Sequence, residues 1–231
     1  DADGTLNVGT RASAQSGRGN DFAPTAGVPH DLESACRILA EDHRRGGPAR
    51  VAVLFEAAWL NSNTLAWQVE AGAKEAGAEV ESLMLHHMDI RPCDACDVCQ
   101  ETGVCIVKDD MQKIYPLLEK ADAIVIASPI YWFTVSAQTK LFMDRCYAFE
   151  GPGRNLLADK RFAYVLTYGD SDPFNSGAVN ALRTFQDGLA YIGAEIAGTV
   201  YGSASKPGEI AQNEELMEKA YQLGKRLALS A

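Results

Sequence analysis

The sequence predicts a doubly wound α/β fold: a five-stranded parallel sheet in the order 2-1-3-4-5, with helices on both faces. Three observations predict it. Short apolar runs such as Val51–Phe55 and Ala123–Ala127 read as buried strands. They are separated by longer stretches with helical periodicity, the alternation that right-handed βαβ units produce. No internal repeat or extended low-complexity tract competes with that pattern.

The elements follow in order. Residues 1–30, rich in Gly, Ala, Ser, Thr and Asn, read as an arm. Asp31 is placed to cap a short helix to about Arg45, with Leu32, Ala35, Cys36, Leu39 and Ala40 on one face. Gly46-Gly47-Pro48 ends it. Residues 1–48 are therefore expected to be an appendage, and 49–231 the folded domain with a cysteine-rich loop over 91–108. Val51–Phe55 is the first strand, 63–77 a helix and Glu79–Leu85 the second strand. Asp109 and Asp110 cap a helix to about Ala121, which Pro116 should kink or break. Ala123–Ala127 is the third strand and Ser136–Tyr147 a helix. Phe162–Thr167 is the fourth strand, 175–192 a helix, Ile196–Tyr201 the fifth strand and 211–229 the last helix.

At 231 residues the chain has room for one α/β domain with a substantial core. Hydrophobic residues at 47% and charged residues at 23% are ordinary for a globular protein. The net charge of −10 argues against a nucleic-acid partner, because phosphate backbones need a basic stripe. No apolar run approaches the ~20 residues that cross a bilayer, so no membrane association is expected. Six cysteines, four of them in one loop, are too few for a disulfide scaffold and fit a reducing, cytoplasmic setting.

Those four form the run Cys93-x2-Cys96-x2-Cys99-x5-Cys105. Cysteines three apart can curl round one centre while the fourth closes the cage, as thiolate ligation of an iron–sulfur cube requires. Zinc is a second reading, although structural zinc more often uses two separated Cys-x-x-Cys knuckles. An empty or disulfide-bonded loop is the third.

In a sheet of this order, ligands sit at the carboxyl ends of the strands, near the switch between strands 1 and 3. Three loops converge there. Asn61-Ser62-Asn63-Thr64 opens a helix, where hydroxyl and amide groups with free backbone N–H groups can receive an anion. Plain helix capping is the other reading. Ser128-Pro129-Ile130-Tyr131-Trp132-Phe133 leaves the most apolar strand with aromatics suited to stacking on a flat ring, or to packing. Thr167-Tyr168-Gly169-Asp170 allows close backbone approach at Gly169, or is an ordinary turn. The four histidines, His30, His43, His86 and His87, read as surface or capping residues, and no protein acid or base stands out.

Taken together, Ser128-Pro129-Ile130-Tyr131-Trp132, then Ser136-Ala137, Lys140 and Asp144-Arg145, closely resemble the NADPH-dependent FMN reductases of flavodoxin-like fold. Pro92-Cys93, Asp109-Asp110-Met111 and Asn61-Ser62-Asn63-Thr64 add to the likeness. Within that superfamily, the cysteine spacing is most similar to the iron–sulfur flavoproteins. The resemblance spans about 50–205. It implies FMN with its phosphate on residues 61–64 and its ring between the 128–133 and 167–170 loops. A 4Fe-4S cluster on Cys93, Cys96, Cys99 and Cys105 is implied as well. So are NADH or NADPH, or a protein, as electron donor, a small-molecule or protein acceptor, and a homodimer or homotetramer. A flavodoxin-like electron carrier and a non-catalytic protein with a decayed flavin site are the alternatives. One departure stands out: where the family carries a Gly-Ser-Pro-Arg type sequence, this chain reads Glu56-Ala57-Ala58-Trp59. The arginine is gone, and an inward Glu56 would repel a phosphate.

Overall fold

The first strand, β1 (Arg50–Phe55), shows why the sheet must be covered twice. Its side chains alternate between two cores, Ala52 and Leu54 in one and Val51, Val53 and Phe55 in the other, all buried. A strand apolar on both faces needs a helical layer on each. The computed structural model describes residues 47–56 and 61–229. The predicted arm and the helix over 31–45 lie outside the described residues.

After β1 come α1 (Asn61–Glu75), β2 (Glu79–Met84), the five-residue α2 (Val98–Thr102) and α3 (Met111–Lys120). Then follow β3 (Ala123–Tyr131), β4 (Thr134–Val135), α4 (Ala137–Arg145), and the short strands β5 (Glu150–Gly151) and β6 (Arg154–Asn155). β7 (Arg161–Tyr168), α5 (Ala178–Ile192), β8 (Glu195–Ser203) and α6 (Glu214–Leu229) complete the described chain. The main sheet runs β2-β1-β3-β7-β8, every neighbouring pair parallel. This is the expected 2-1-3-4-5 order. Helices α1 and α6 bury Leu65, Val69, Leu223 and Leu227 against one face, while α3, α4 and α5 bury Ile114, Phe142 and Phe185 against the other.

Several local expectations change. Pro116 lies inside α3, which runs unbroken. The proline removes one ladder hydrogen bond, but Met111, Ile114 and Leu118 are fully buried on the helix's inner face and hold it in place. Asp110 occupies the cap position without a side-chain capping bond, and Asp109 instead accepts the Met111 N–H at 3.1 Å. The helix expected over 63–77 starts and ends two residues earlier, that over 175–192 starts at Ala178, and a 3-10 turn, Glu209–Gln212, precedes α6. β4 and the β5–β6 hairpin have no counterpart in the sequence pattern. The five described cysteines are all free, so the disulfide-bonded reading of the loop does not hold among them.

Helices α1 and α6 touch backbone to backbone. A Cβ on Gly224 would lie 1.9 Å from the Val69 carbonyl oxygen, and one on Gly72 would lie 2.0 Å from that of Tyr221. Only glycine at both positions permits this approach.

Candidate functional site

Because β1, β3 and β7 are adjacent and parallel, their exits share one edge of the sheet. The exit of β1 is Glu56, 2% exposed. Its carboxylate accepts hydrogen bonds from the Ser136 hydroxyl and, at 2.6 Å, from the Thr139 hydroxyl. Both belong to the head of α4, where Ser136 is the cap residue and its Oγ accepts the Thr139 N–H. A carboxylate at a helix start is favoured by the dipole as well as by these donors. The charge that threatened an anion site is therefore held by another helix.

The head of α1 divides its four polar residues between two tasks. Asn61 is engaged: its Nδ2 donates to the Lys206 carbonyl at 3.0 Å and its Oδ1 accepts the Ile210 N–H at 3.2 Å. Ser62 and Asn63 are fully buried, yet among the described residues the Ser62 Oγ and both polar atoms of the Asn63 carboxamide have no hydrogen-bond partner. Buried orphans of this kind cost about 1–3 kcal/mol each unless a ligand satisfies them. Thr64 is half-buried beside them. The orphaned donors sit at a helix N-terminus, which suits an anion.

The β3 exit holds the strained element of the site. Tyr131 and Thr134 pair across a two-residue turn formed by Trp132 and Phe133, whose φ values are +49° and +68°. Two positive φ angles define the type I′ hairpin turn, a place that normally selects Asn-Gly. Bulky aromatics there are outliers, and such strain gathers at functional sites. The rings face outward: Tyr131 is 53% exposed, Trp132 92% and Phe133 54%. The hairpin is braced from α5, where the Asn180 Nδ2 donates to the Phe133 carbonyl at 3.0 Å. Gly177 lies so close to Phe133 that a Cβ would meet its Cα at 2.5 Å. Burial, and after it the Glu56 carboxylate, raises the Tyr131 phenol above its ordinary range, which ties this loop to the β1 exit. Ser128 and Pro129 are buried, and the Ser128 Oγ accepts the Ser136 N–H at 3.1 Å, a structural duty. Ile130 is half-buried.

At the β7 exit, Thr167 and Tyr168 are buried while Gly169 and Asp170 are exposed. The Ser205 hydroxyl donates to the Gly169 carbonyl at 2.9 Å, and the Ser203 hydroxyl to that of Asp170. Through Ser205, Lys206 and Ile210, the 203–210 segment joins the third loop to Asn61 of the first. Sequence reading missed that segment; its only signal was the Pro207-Gly208 turn.

The cysteine loop lies beside α4 and the β5–β6 hairpin. Positive φ at Ala95 (+53°), Asp97 (+57°) and Gly103 (+78°) bends the chain between successive cysteines. All four of Cys93, Cys96, Cys99 and Cys105 line one small cavity, together with Arg145 and Tyr147. Cys93 and Cys96 are exposed, Cys105 is half-buried and Cys99 is buried. Burial raises the Cys99 thiol above its ordinary range, and Gln100 partly offsets that. Two side chains that the sequence did not single out for this role anchor α2. Arg154 donates to the carbonyls of Gly103 at 2.6 Å and Cys99 at 3.1 Å, and Gln100 to that of Glu150 at 3.0 Å. Among the described residues, no three His, Cys, Asp or Glu side chains converge closely enough for a single metal ion.

Comparison with known proteins places the chain in a family. The family model of NADPH-dependent FMN reductases matches residues 60–206. An iron-sulfur flavoprotein of Archaeoglobus fulgidus is 32% identical over 165 residues, 69% of this chain and 70% of that protein. A second iron-sulfur flavoprotein of the same organism is 30% identical over 162 residues, 67% of this chain and 83% of that one. The solved NAD(P)H:quinone oxidoreductase of Methanothermobacter marburgensis aligns with a TM-score of 0.60 at 17% identity, covering 78% of this chain and 98% of that one, a likeness of fold. With a family match over more than half its length, the chain belongs to the NADPH-dependent FMN reductase family and is an NAD(P)H-dependent flavin oxidoreductase.

Proposed function

We propose that this oxidoreductase receives the FMN phosphate on Ser62, Asn63 and Thr64, and the flavin ring between the Tyr131–Phe133 hairpin and the Thr167–Asp170 loop. We further propose that Cys93, Cys96, Cys99 and Cys105 hold a 4Fe-4S cluster. The observation that carries the flavin reading is the set of orphaned polar atoms on Ser62 and Asn63, buried at a helix start. Their residues supply donors, and the Glu56 carboxylate is engaged by the hydroxyls of Ser136 and Thr139. Asn61 drops out of the donor set, being engaged with Lys206 and Ile210. The exposed rings of Tyr131 and Trp132 offer apolar faces to a flat ligand.

The four thiols round one cavity support the cluster, and so do the relatives named iron-sulfur flavoproteins. In a cluster each thiolate binds its own iron, so the sulfurs stand further apart than the ligands of a single ion. When bound, such cofactors accept electrons from a reduced nicotinamide or protein donor and release them to an acceptor, while the protein supplies position and electrostatics. A homodimer or homotetramer is proposed as well, and the exposed ring of Phe174 outside the flavin hairpin is consistent with a subunit contact. Among the described residues no helix is long and apolar enough to cross a membrane, and a cytoplasmic location is proposed with it.

Anaerobically purified protein is expected to contain FMN, iron and acid-labile sulfide, with separable flavin and cluster absorption, and to oxidise NADH or NADPH. Colourless protein that takes up no FMN overturns the flavin reading. Protein that binds FMN without iron or sulfide overturns the cluster alone. A flavoprotein that leaves reduced nicotinamides untouched is a carrier instead of a reductase.

A further inference from the structure

Arg145 closes α4 with a guanidinium that solvent does not reach; its side chain is 1% exposed and that of its partner Asp109 is 0% exposed. Both carboxylate oxygens of Asp109 are engaged: Nη1 donates to Oδ2 at 2.5 Å and Nη2 to Oδ1 at 3.2 Å. Nη1 also donates to the Arg91 carbonyl at 2.8 Å. Asp109 is fixed in turn by the N–H groups of Arg91 at 3.0 Å and Met111 at 3.1 Å. A fork held at this many points cannot swing, and it directs its remaining Nη2 hydrogen toward the Cys105 Sγ at 3.3 Å. No other described cysteine has a comparable partner: the contact from the Gln100 Nε2 to the Cys99 Sγ is 3.8 Å long and uncharged.

We propose that Arg145 is a positioning residue that sets the reduction potential of the cysteine-held centre through its charged N–H···S hydrogen bond to Cys105. The proposal rests on the cluster reading above. A cluster bound by four thiolates is anionic, and one-electron reduction makes it more so. A hydrogen bond to a ligand sulfur from a buried cation stabilises the reduced form more than the oxidised form, raising the potential. Asp109 offsets part of the charge but leaves the hydrogen bond in place. Arg154 provides the contrast: it anchors the same loop through the carbonyls of Cys99, Gly103, Ala148 and Glu150 and donates to no sulfur.

The test is an EPR-monitored redox titration with dithionite of wild type, Arg145→Lys, Arg145→Gln and Arg154→Gln. Arg145→Gln is expected to lower the midpoint potential by about 59 mV, a tenfold change in a one-electron equilibrium, with Arg145→Lys in between. Arg154→Gln is expected to reduce the iron content while leaving the potential of the remaining centres unchanged. A second measurement needs no variant: pulsed EPR of reduced wild type grown with guanidino-15N arginine should show a nitrogen coupling to the centre. Iron-loaded Arg145 variants at the wild-type potential overturn the proposal, as does an absent 15N coupling if those variants do not fold. Wild type without iron overturns the cluster reading instead, and this proposal falls with it.

Discussion

At the scale of single residues, the site is organised by side chains in unusual circumstances. Glu56 is a buried acid that holds the hydroxyls of Ser136 and Thr139 across 80 and 83 positions of sequence. Its replacement by alanine removes the acceptor that the two hydroxyls share and leaves them only each other, so Glu56→Ala should cost about 1–3 kcal/mol in urea unfolding. Glu56→Gln keeps an acceptor oxygen and should recover most of that loss. Equal loss in both variants would mean that the charge at the α4 head, and not the hydrogen bonds, is what stabilises. Trp132 is the opposite case, a large side chain in the left-handed region with almost all its surface in water. A glycine there relieves about 1–2 kcal/mol of backbone strain and adds back about 0.5–1 kcal/mol of chain entropy. Trp132→Gly should therefore raise the thermal midpoint slightly while weakening FMN by about 1 kcal/mol, roughly fivefold in Kd. A variant that loses stability and keeps its FMN affinity would remove Trp132 from the site.

At the scale of elements, the strands buried on both faces were legible and the small pieces were not. β1, β3 and β7 announce themselves through unbroken apolar runs, because each residue meets a helical layer whichever way it points. The edge strands β2 and β8 were readable despite their exposed charges because each lies where a βαβ unit must place it. The β5–β6 hairpin has two residues per strand and exists through its pairing and the Arg154 anchor, neither of which leaves a periodic trace. Pro116 does not break α3, because local propensity was outweighed by three buried side chains on the helix. In the site, the aromatics of the β3 exit were found by residue type, whereas their I′ turn was hidden by the absence of glycine or asparagine. The α1–α6 contact allows a test in which two rules conflict. Gly224→Ala should stabilise by about 1 kcal/mol if helix propensity decides. The Cβ would lie 1.9 Å from the Val69 carbonyl oxygen, so we expect overpacking to win and the variant to lose about 1–3 kcal/mol by urea unfolding. A stabilised variant would show that the two helices are not locked at this crossing.

At the scale of the whole molecule, folding and ligand binding meet at the head of α1. Three polar atoms buried there without partners burden the free protein, while the two cores on either side of the sheet keep it folded. Residues that reduce stability when empty and bind when filled link the two equilibria, so FMN should stabilise the apoprotein by mass action. The gain is about 2.7 kcal/mol at a free concentration one hundred times Kd. Asn63 separates this account from ordinary packing. Leucine keeps the branched outline of asparagine and has no polar atoms, so Asn63→Leu removes two orphans, a gain expected to outweigh its larger volume. The apoprotein of Asn63→Leu should then melt higher than wild-type apoprotein, and added FMN should raise its midpoint far less. An ordinary structural asparagine predicts the reverse: a lower midpoint without ligand and an undiminished shift with it. Thermal melts of both proteins with and without FMN therefore decide whether Asn63 serves the ligand or the fold.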